Sequence, residues 1–127
     1  MASFGILIAD PSALAVARAS LTEWLRIEGC PPDRIADLAV VISELVTNAL
    51  EASRPPRARL EVTVDDSAVE IVVTNASPVG FCWAGGPPPP PTAVRGRGLH
   101  IVDRLMSGLE IGHHEGTTRV RSWLGAR

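Results

Sequence analysis

Two polar residues in the middle of the chain are the side chains best suited to chemistry. Residues 38–50 are almost all apolar or small, which predicts a helix buried on nearly all sides, but Glu44 and Asn48 interrupt the pattern. Four residues apart on a helix, they share one face with Cβ atoms roughly 6 Å apart. Because magnesium takes few protein oxygens and keeps several waters, an amide oxygen beside a carboxylate indicates a metal and nucleotide site. The alternative is structural: Glu44 pairs with an arginine at a sheet edge and Asn48 caps a neighbouring loop.

A second candidate site is the sequence Gly96-Arg97-Gly98-Leu99, which opens an amphipathic segment. Glycines at a helix start let backbone amides approach an anion, and the helix dipole favours negative charge there. Residues 75–97 before the helix show no periodicity and include five consecutive prolines, residues 87–91. Such long irregular segments in small domains are more often active-site lids than accidents, so we expect a Gly/Pro-rich lid at about residues 76–96. Disorder and a docking site for a proline-reading domain are the alternatives.

Hydrophobic periodicity predicts the elements that must position these residues. An apolar strand at residues 3–9 leads through Asp10 and Pro11 into an amphipathic helix that ends near Glu28. The central helix follows at residues 33–53, and two alternating segments at residues 59–64 and 69–74 form a hairpin. After the loop come a helix that Gly108 stops and a second hairpin at residues 109–113 and 117–124.

Composition limits the classes of function. A chain of 127 residues has room for one core, and 12 basic against 14 acidic residues give no reason to expect nucleic acid or an acidic membrane as partner. Two cysteines without a paired motif, no basic leader and no apolar run of ~18 residues favour a soluble cytoplasmic protein. His113 and His114 are adjacent and would point to opposite faces of a strand, so we interpret both as hairpin residues.

The order of elements and the motifs together resemble the GHKL ATPases, the superfamily of gyrase, the heat-shock chaperone and histidine kinases. The sequence ELVTNA from Glu44 resembles its N-box, GRGL from Gly96 resembles its G2 box, and GTT from Gly116 resembles its terminal hairpin beside the adenine pocket. Within the superfamily, the chain is most similar to the bacterial anti-sigma factor serine kinases. The resemblance implies the Bergerat fold, an α/β two-layer sandwich whose mixed, mostly antiparallel sheet is covered on one face by three helices. Residues 1–127 would then be a single histidine-kinase-like ATPase domain.

The resemblance also implies roles for particular residues. Glu44 would be the general base and Asn48 the ligand of Mg²⁺. The expected ATP contacts are Asn48, Asn75, Ser77, Gly96, Arg97, Gly98, Leu99, Thr117 and Thr118, with the glycines cradling phosphate and the threonines on the adenine side. The implied partners are a sigma factor and an antagonist protein whose serine is phosphorylated, and a homodimer is left open.

One family motif is altered. The G1 box, an Asp followed two residues later by Gly, reads Asn75-Ala76-Ser77 here. In the family the Asp accepts a hydrogen bond from the adenine amino group; Asn75 keeps an acceptor oxygen without the charge. Hydrogen bonds to ions are worth roughly 1.5–3 kcal/mol against about 1 for neutral ones, so adenine recognition should be weaker.

Three alternatives therefore remain for the function. The first is an ATP-dependent protein-serine kinase that is also an anti-sigma factor. The second is a degenerate binding module of the same fold that sequesters a partner without phosphoryl transfer. The third, an isolated histidine-kinase catalytic domain, would need a phosphoacceptor-histidine helix hairpin, and the sequence contains no such segment.

Overall fold

Five strands and three helices form two layers in the computed structural model, which describes residues 1–53, 55–76 and 97–125. The helices are α1 (Ala13–Ile27), α2 (Pro32–Ala52) and α3 (Arg97–Leu105); the strands are β1 (Ala2–Ile8), β2 (Ala58–Val64), β3 (Ala68–Ala76), β4 (Gly108–His114) and β5 (Thr117–Gly125). The spatial order is β1-β2-β3-β5-β4. All four pairings in this described sheet are antiparallel, so the predicted α/β sandwich with a mostly antiparallel sheet is confirmed.

One face of the sheet is apolar and carries the helices. Along β2 and β3, alternate side chains such as Leu60 and Ile71 are fully buried. Arg59 and Glu61, on either side of Leu60 in the sequence, are exposed. All three helices contribute to the same core, with buried residues that include Leu21, Leu25, Leu38, Leu45, Leu99 and Val102. Burying a Leu or Val side chain contributes about 1.5–3 kcal/mol, so this face fixes the position of the helix layer.

The start of α1 is held by Asp10. Its Oδ1 accepts hydrogen bonds from the amides of Ser12, at 2.8 Å, and Ala13, at 3.2 Å. The Ser12 hydroxyl and these two amides lower the pKa of the Asp10 carboxyl. The regular helix begins at Ala13, two residues later than Pro11, because residues 10–13 form a turn first.

The central helix α2 begins at Pro32, one residue before the predicted start, and Asp33 lies in its first turn, where a negative charge favours the helix dipole. The prediction that it is buried on nearly all sides is wrong, because Val40 is 43% exposed and Thr47 and Glu51 are exposed as well. One side of α2 packs on β2 and β3, and the outer side faces solvent. Although α2 has 21 residues, none of the described helices is long and apolar enough to cross a membrane.

Strand β3 ends two residues later than its alternation indicated. It continues to Ala76 because β5 stays paired with it, with Asn75 opposite Thr118 and Ala76 opposite Thr117. Asn75 is therefore a strand residue and does not begin the loop. Of the lid predicted at about residues 76–96, Ala76 belongs to β3, and residues 77–96 lie outside the described part of the chain.

The last hairpin has a tight turn. Glu115 and Gly116 both have positive φ, 49° and 77°, the backbone that a two-residue turn of the primed type requires. This turn places His114 opposite Thr117 and His113 opposite Thr118. The register brings the end of β4 beside the threonines of the predicted adenine side.

Candidate functional site

Glu44 and Asn48 are both half-buried on α2, one helical turn apart. The neighbouring residue Ser43 faces α1, because Nη1 of Arg18 donates a hydrogen bond to its hydroxyl at 3.0 Å. At 3.6 residues per turn, Asn48 lies about 140° around the helix from Ser43. The side of α2 that carries the acid–amide pair is therefore turned away from α1.

The pair has no structural partner among the described residues. Within residues 1–53, 55–76 and 97–125, neither Glu44 nor Asn48 forms a hydrogen bond or an ion pair, so the arginine pairing and loop capping considered above are not found there. A half-buried carboxylate and amide that share a helix face, with no partner among the described residues, fit a hydrated Mg²⁺, which prefers oxygen ligands and retains water. The donor set suits the predicted metal.

A row of three polar side chains crosses the end of the sheet. Asn75 of β3 is opposite Thr118 of β5, which is opposite His113 of β4. Asn75 is 7% exposed and Thr118 is 5% exposed. Nδ1 of His113 lies 2.9 Å from Oγ1 of Thr118, while Nδ2 of Asn75 donates only a long bond, 3.5 Å, to the carbonyl oxygen of Ala76.

This polar row lies on the helix-covered face of the sheet. Two residues inward along the same three strands the row is apolar: Val73, Val120 and Ile111 are paired in the same way and belong to the core or pack against it. Because side chains alternate along a strand, Asn75 and Thr118 point to the same face as this apolar row. The acid–amide pair and the polar row thus belong to the two layers that face each other.

Two cavities lie near these elements. The smaller one, about 190 Å³, borders Asn75 and Thr117 at the end of the sheet; its lining is Leu7, Arg57, Ala58, Arg59, Thr74, Asn75, Ala76 and Thr117. The larger one, about 610 Å³, lies between the start of α1 and the end of α2 and includes Thr47 and Glu51 but neither Glu44 nor Asn48. Size therefore does not identify the predicted site. The smaller cavity lies mainly on the outer face of the sheet, to which Arg59, Ala76 and Thr117 point, and not on the helix-covered face of the Asn75 and Thr118 side chains.

The predicted phosphate cradle is described in part. Arg97, Gly98 and Leu99 form the first turn of α3, a helix of nine residues that contacts α2. The Leu99 side chain is 3% exposed and belongs to the core, so it would contact a ligand through its backbone amide. Gly96 and Ser77 lie outside the described residues, and only the helical backbone of Arg97 and Gly98 is described.

His113 is a neighbour of the predicted site that the sequence did not reveal. It was interpreted as a hairpin residue, and it does lie in the hairpin, but its ring contacts the hydroxyl of a predicted adenine-side residue, Thr118. The signal was the pair Glu115-Gly116: read as a two-residue turn, it sets His113 opposite Thr118 without further information.

An antiparallel sheet covered on one face by three helices, with an acid–amide pair on the central helix, defines an α/β domain of the GHKL class. Residues 7–122 match the family described as the histidine kinase-like ATPase domain, and the chain belongs to that family. The resemblance that the motifs predicted is thus confirmed. No curated protein matches the sequence.

Solved structures show the same fold. The RsbU and RsbW domains of Rv1364c from Mycobacterium tuberculosis match with a TM-score of 0.74 at 24% identity; the match covers 98% of this chain but 32% of that one. In the SiaB–SiaC complex from Pseudomonas aeruginosa the TM-score is 0.71 at 13% identity, covering 98% and 89% of the two chains. The catalytic domain of histidine kinase ThkA matches with a TM-score of 0.51 at 14% identity, covering 96% and 95%.

Proposed function

We propose that this chain is an ATP-dependent protein-serine kinase that also acts as an anti-sigma factor in the cytoplasm, with residues 1–127 forming one ATPase domain. The observation that carries the proposal is the Glu44–Asn48 pair: two half-buried polar residues on the central helix of a histidine kinase-like ATPase, on the side turned away from α1. Neither side chain has a hydrogen-bond or ion-pair partner in the part of the chain that the structure describes. A pair of this kind is expected where a carboxylate and an amide serve a substrate.

Phosphoryl transfer would use this pair directly. Glu44 would accept the proton of a serine hydroxyl on the antagonist protein as that oxygen bonds to the terminal phosphorus of ATP and ADP leaves. Asn48 would hold Mg²⁺ through its amide oxygen, and the bound ion would supply charge neutralisation at the phosphates. Both residues lie on a rigid, well-packed helix, which is the support that a catalytic pair needs.

The other predicted contacts would surround the nucleotide. The backbone amides at Gly96, Arg97, Gly98 and Leu99, where α3 begins, would bind phosphate oxygens, since a helix N-terminus favours anions. On the base side, the proposed contacts are Asn75, Ser77, Thr117 and Thr118.

The proposed partners are a sigma factor and an antagonist protein that compete for this chain. The SiaB–SiaC structure, in which a protein of this fold is bound to a second protein, supports the general form of the proposal. We also propose a homodimer through β1. This edge strand has seven residues, none of them charged, and unprotected edges of this kind are templates for strand pairing.

A binding module without kinase activity is the second candidate, and Asn75 is the observation that favours it. At 7% exposure this side chain carries no charge where the family motif has a carboxylate, so the contact with adenine would be weaker. Such a chain would sequester its partner without transferring phosphate.

The test combines the purified chain, ATP labelled at the terminal phosphate and antagonist proteins encoded nearby. We expect label on the antagonist serine and no label when that serine is replaced by alanine. In Glu44→Gln the rate of phosphoryl transfer should fall by about 100-fold or more. Glu51→Gln is the matched control, because Glu51 is an exposed glutamate on the same helix and lines the other cavity. A stable complex with the antagonist that forms without phosphoryl transfer, and forms equally well with Glu44→Gln, would establish the binding module instead.

A further inference from the structure

The outer face of the sheet, which points away from the helices, has a basic end. Arg59 of β2 is opposite Thr74 of β3, and Thr74 is opposite Arg119 of β5. Leu60 belongs to the core and Val120 packs against it. Because side chains alternate along a strand, Arg59 and Arg119 therefore point to the outer face, where both are exposed. They stand on either side of Thr74, on strands roughly 10 Å apart.

Two arginines at this end have no acidic partner among the described residues. Arg59 forms an ion pair with Glu61, with Nε and Oε1 2.8 Å apart. In the same part of the chain no ion pair involves Arg119 or Arg57, which is exposed and immediately precedes β2. Like charges that share a surface repel each other, so a bound anion would relieve a repulsion that the unbound chain retains.

The remaining arginine of the outer face, Arg121, is fully engaged within the chain. It is 15% exposed, donates to Glu70 at 3.0 Å and to Glu110 at 2.7 Å, and lies 4.8 Å from the ring centre of Trp123. This arginine is part of the scaffold, because its charge is matched by carboxylates from the neighbouring strands. The exposed Arg119, two residues away on β5, has no such match in the described residues and remains available to a partner.

A small cavity lies beside the basic end. It has a volume of about 190 Å³, and Leu7, Arg57, Arg59 and Thr74 are among its lining residues. Small-molecule sites usually measure roughly 300–1,000 Å³, so this cavity suits a single side chain better than a whole ligand. Leu7 is 48% exposed and offers an apolar wall. Arginine forks match the planar geometry of a carboxylate, so an acidic side chain could place its stem against Leu7 and its charge between the arginines.

We propose that this basic end, formed by Arg57, Arg59, Thr74 and Arg119, binds an acidic segment of a partner protein. One carboxylate side chain of the segment enters the cavity, and another pairs with Arg119. A nucleic acid would need a long basic stripe, whereas this patch is short and the chain carries a net charge of −2. The patch lies on the opposite face of the sheet from the helix layer, so its occupation does not depend on nucleotide binding or phosphoryl transfer.

The test titrates a fluorescent octaglutamate peptide with the full chain at low ionic strength, without nucleotide, and uses octaglutamine as the uncharged match. We expect octaglutamate to bind with a dissociation constant of about 1 mM or lower, and octaglutamine not to bind. The double variant Arg57→Gln/Arg119→Gln should raise the constant about fivefold or more, since two charged contacts are lost. Arg34→Gln/Arg104→Gln is the matched control: it removes the same charge from exposed arginines of the helix layer and should change the constant less than about twofold.

A second variant keeps every arginine. Ala76 is exposed and lines the cavity, so Ala76→Glu supplies a carboxylate from the chain itself and should weaken octaglutamate binding by about threefold or more. The proposal is overturned if octaglutamate does not bind, if both double variants weaken it equally, or if a folded Ala76→Glu binds it as the wild type does. Tighter binding of an oligothymidylate of equal charge would overturn it in favour of a nucleic-acid surface. Release of the peptide by inorganic phosphate, but not by sodium chloride of equal ionic strength, would overturn it in favour of a small-anion site.

Discussion

Replacing Asn48 by alanine should abolish the magnesium-dependent part of nucleotide affinity without destabilising the fold. Asn48 is half-buried in the interior of a helix of 21 residues and has no hydrogen bond within the described part of the chain. Alanine is the better helix former by roughly half a kcal/mol, and no described hydrogen bond is lost. The free energy of unfolding should therefore stay level or rise by up to about 0.5 kcal/mol, a shift of a few °C at most in Tm.

Urea denaturation and a nucleotide titration at several Mg²⁺ concentrations measure the two quantities separately. Ser43→Ala is the matched control on the same helix, since it removes the acceptor of the Arg18 hydrogen bond at 3.0 Å. The lost hydrogen bond costs about 0.5–1.5 kcal/mol and the higher helix propensity of alanine offsets roughly half a kcal/mol, so that variant should lose up to about 1 kcal/mol of stability and keep its response to Mg²⁺. The two substitutions are thus expected to give opposite patterns.

The reasoning would be refuted by an Asn48→Ala protein that is destabilised by more than about 1 kcal/mol and still binds nucleotide in a magnesium-dependent way. Asn48 would then be a packing residue whose partner lies outside the described ranges. A variant that loses magnesium dependence and keeps its stability supports the assignment, because a residue retained for the fold cannot be removed at no cost.

Two further predictions concern the scaffold. Gly108→Ala should cost about 1–3 kcal/mol in urea denaturation, because its Cβ would collide with the ring of Trp123, whereas Gly112→Ala on the same strand meets nothing within 4 Å and should be close to neutral. Hydrogen bonds from the Ser67 amide and hydroxyl and from the Ala68 amide lower the pKa of Asp65. The stabilisation that this carboxylate gives the folded protein is therefore complete above the ordinary pKa of an aspartate and is lost as pH falls through the lower, folded value. Asp65→Asn should flatten the loss of stability below about pH 4, and an unchanged pH profile would contradict this.

Local patterns were enough to predict most of the fold. The strands of the first hairpin alternate between apolar and polar residues, α2 combines a proline near its start with a long apolar stretch, and a glycine follows α3. At these elements the hydrophobic periodicity and the Gly or Pro residues at the ends indicate the same structure. The family motifs then fixed the architecture, because a Glu–Asn pair on the central helix and a glycine motif at a helix start occur in the right order.

Features that depend on pairing between distant segments could not be predicted in this way. The end of β3 is set by β5, more than forty residues away, and a strand's own alternation does not show how long its partner stays beside it. For this reason Asn75 was assigned to a loop. The burial of α2 was overestimated because small and apolar residues such as Val40 also occupy its outer side.

The predicted site keeps the family's charged Glu44 on α2 but has an uncharged Asn75 on β3, and this difference has a physical basis. Glu44 and Asn48 are half-buried on a helix surface, where a charge stays partly hydrated whether or not a ligand is bound. Asn75 is more than nine-tenths buried beside Thr118, where an unpaired carboxylate would cost several kcal/mol until a base supplied its hydrogen bonds. An unpaired buried amide costs less, about 1–3 kcal/mol, so an empty site would destabilise the sheet less with Asn75 than with a carboxylate. The exchange of partners proposed above would leave the nucleotide site empty part of the time, and an uncharged side chain at position 75 suits that condition better than a buried carboxylate.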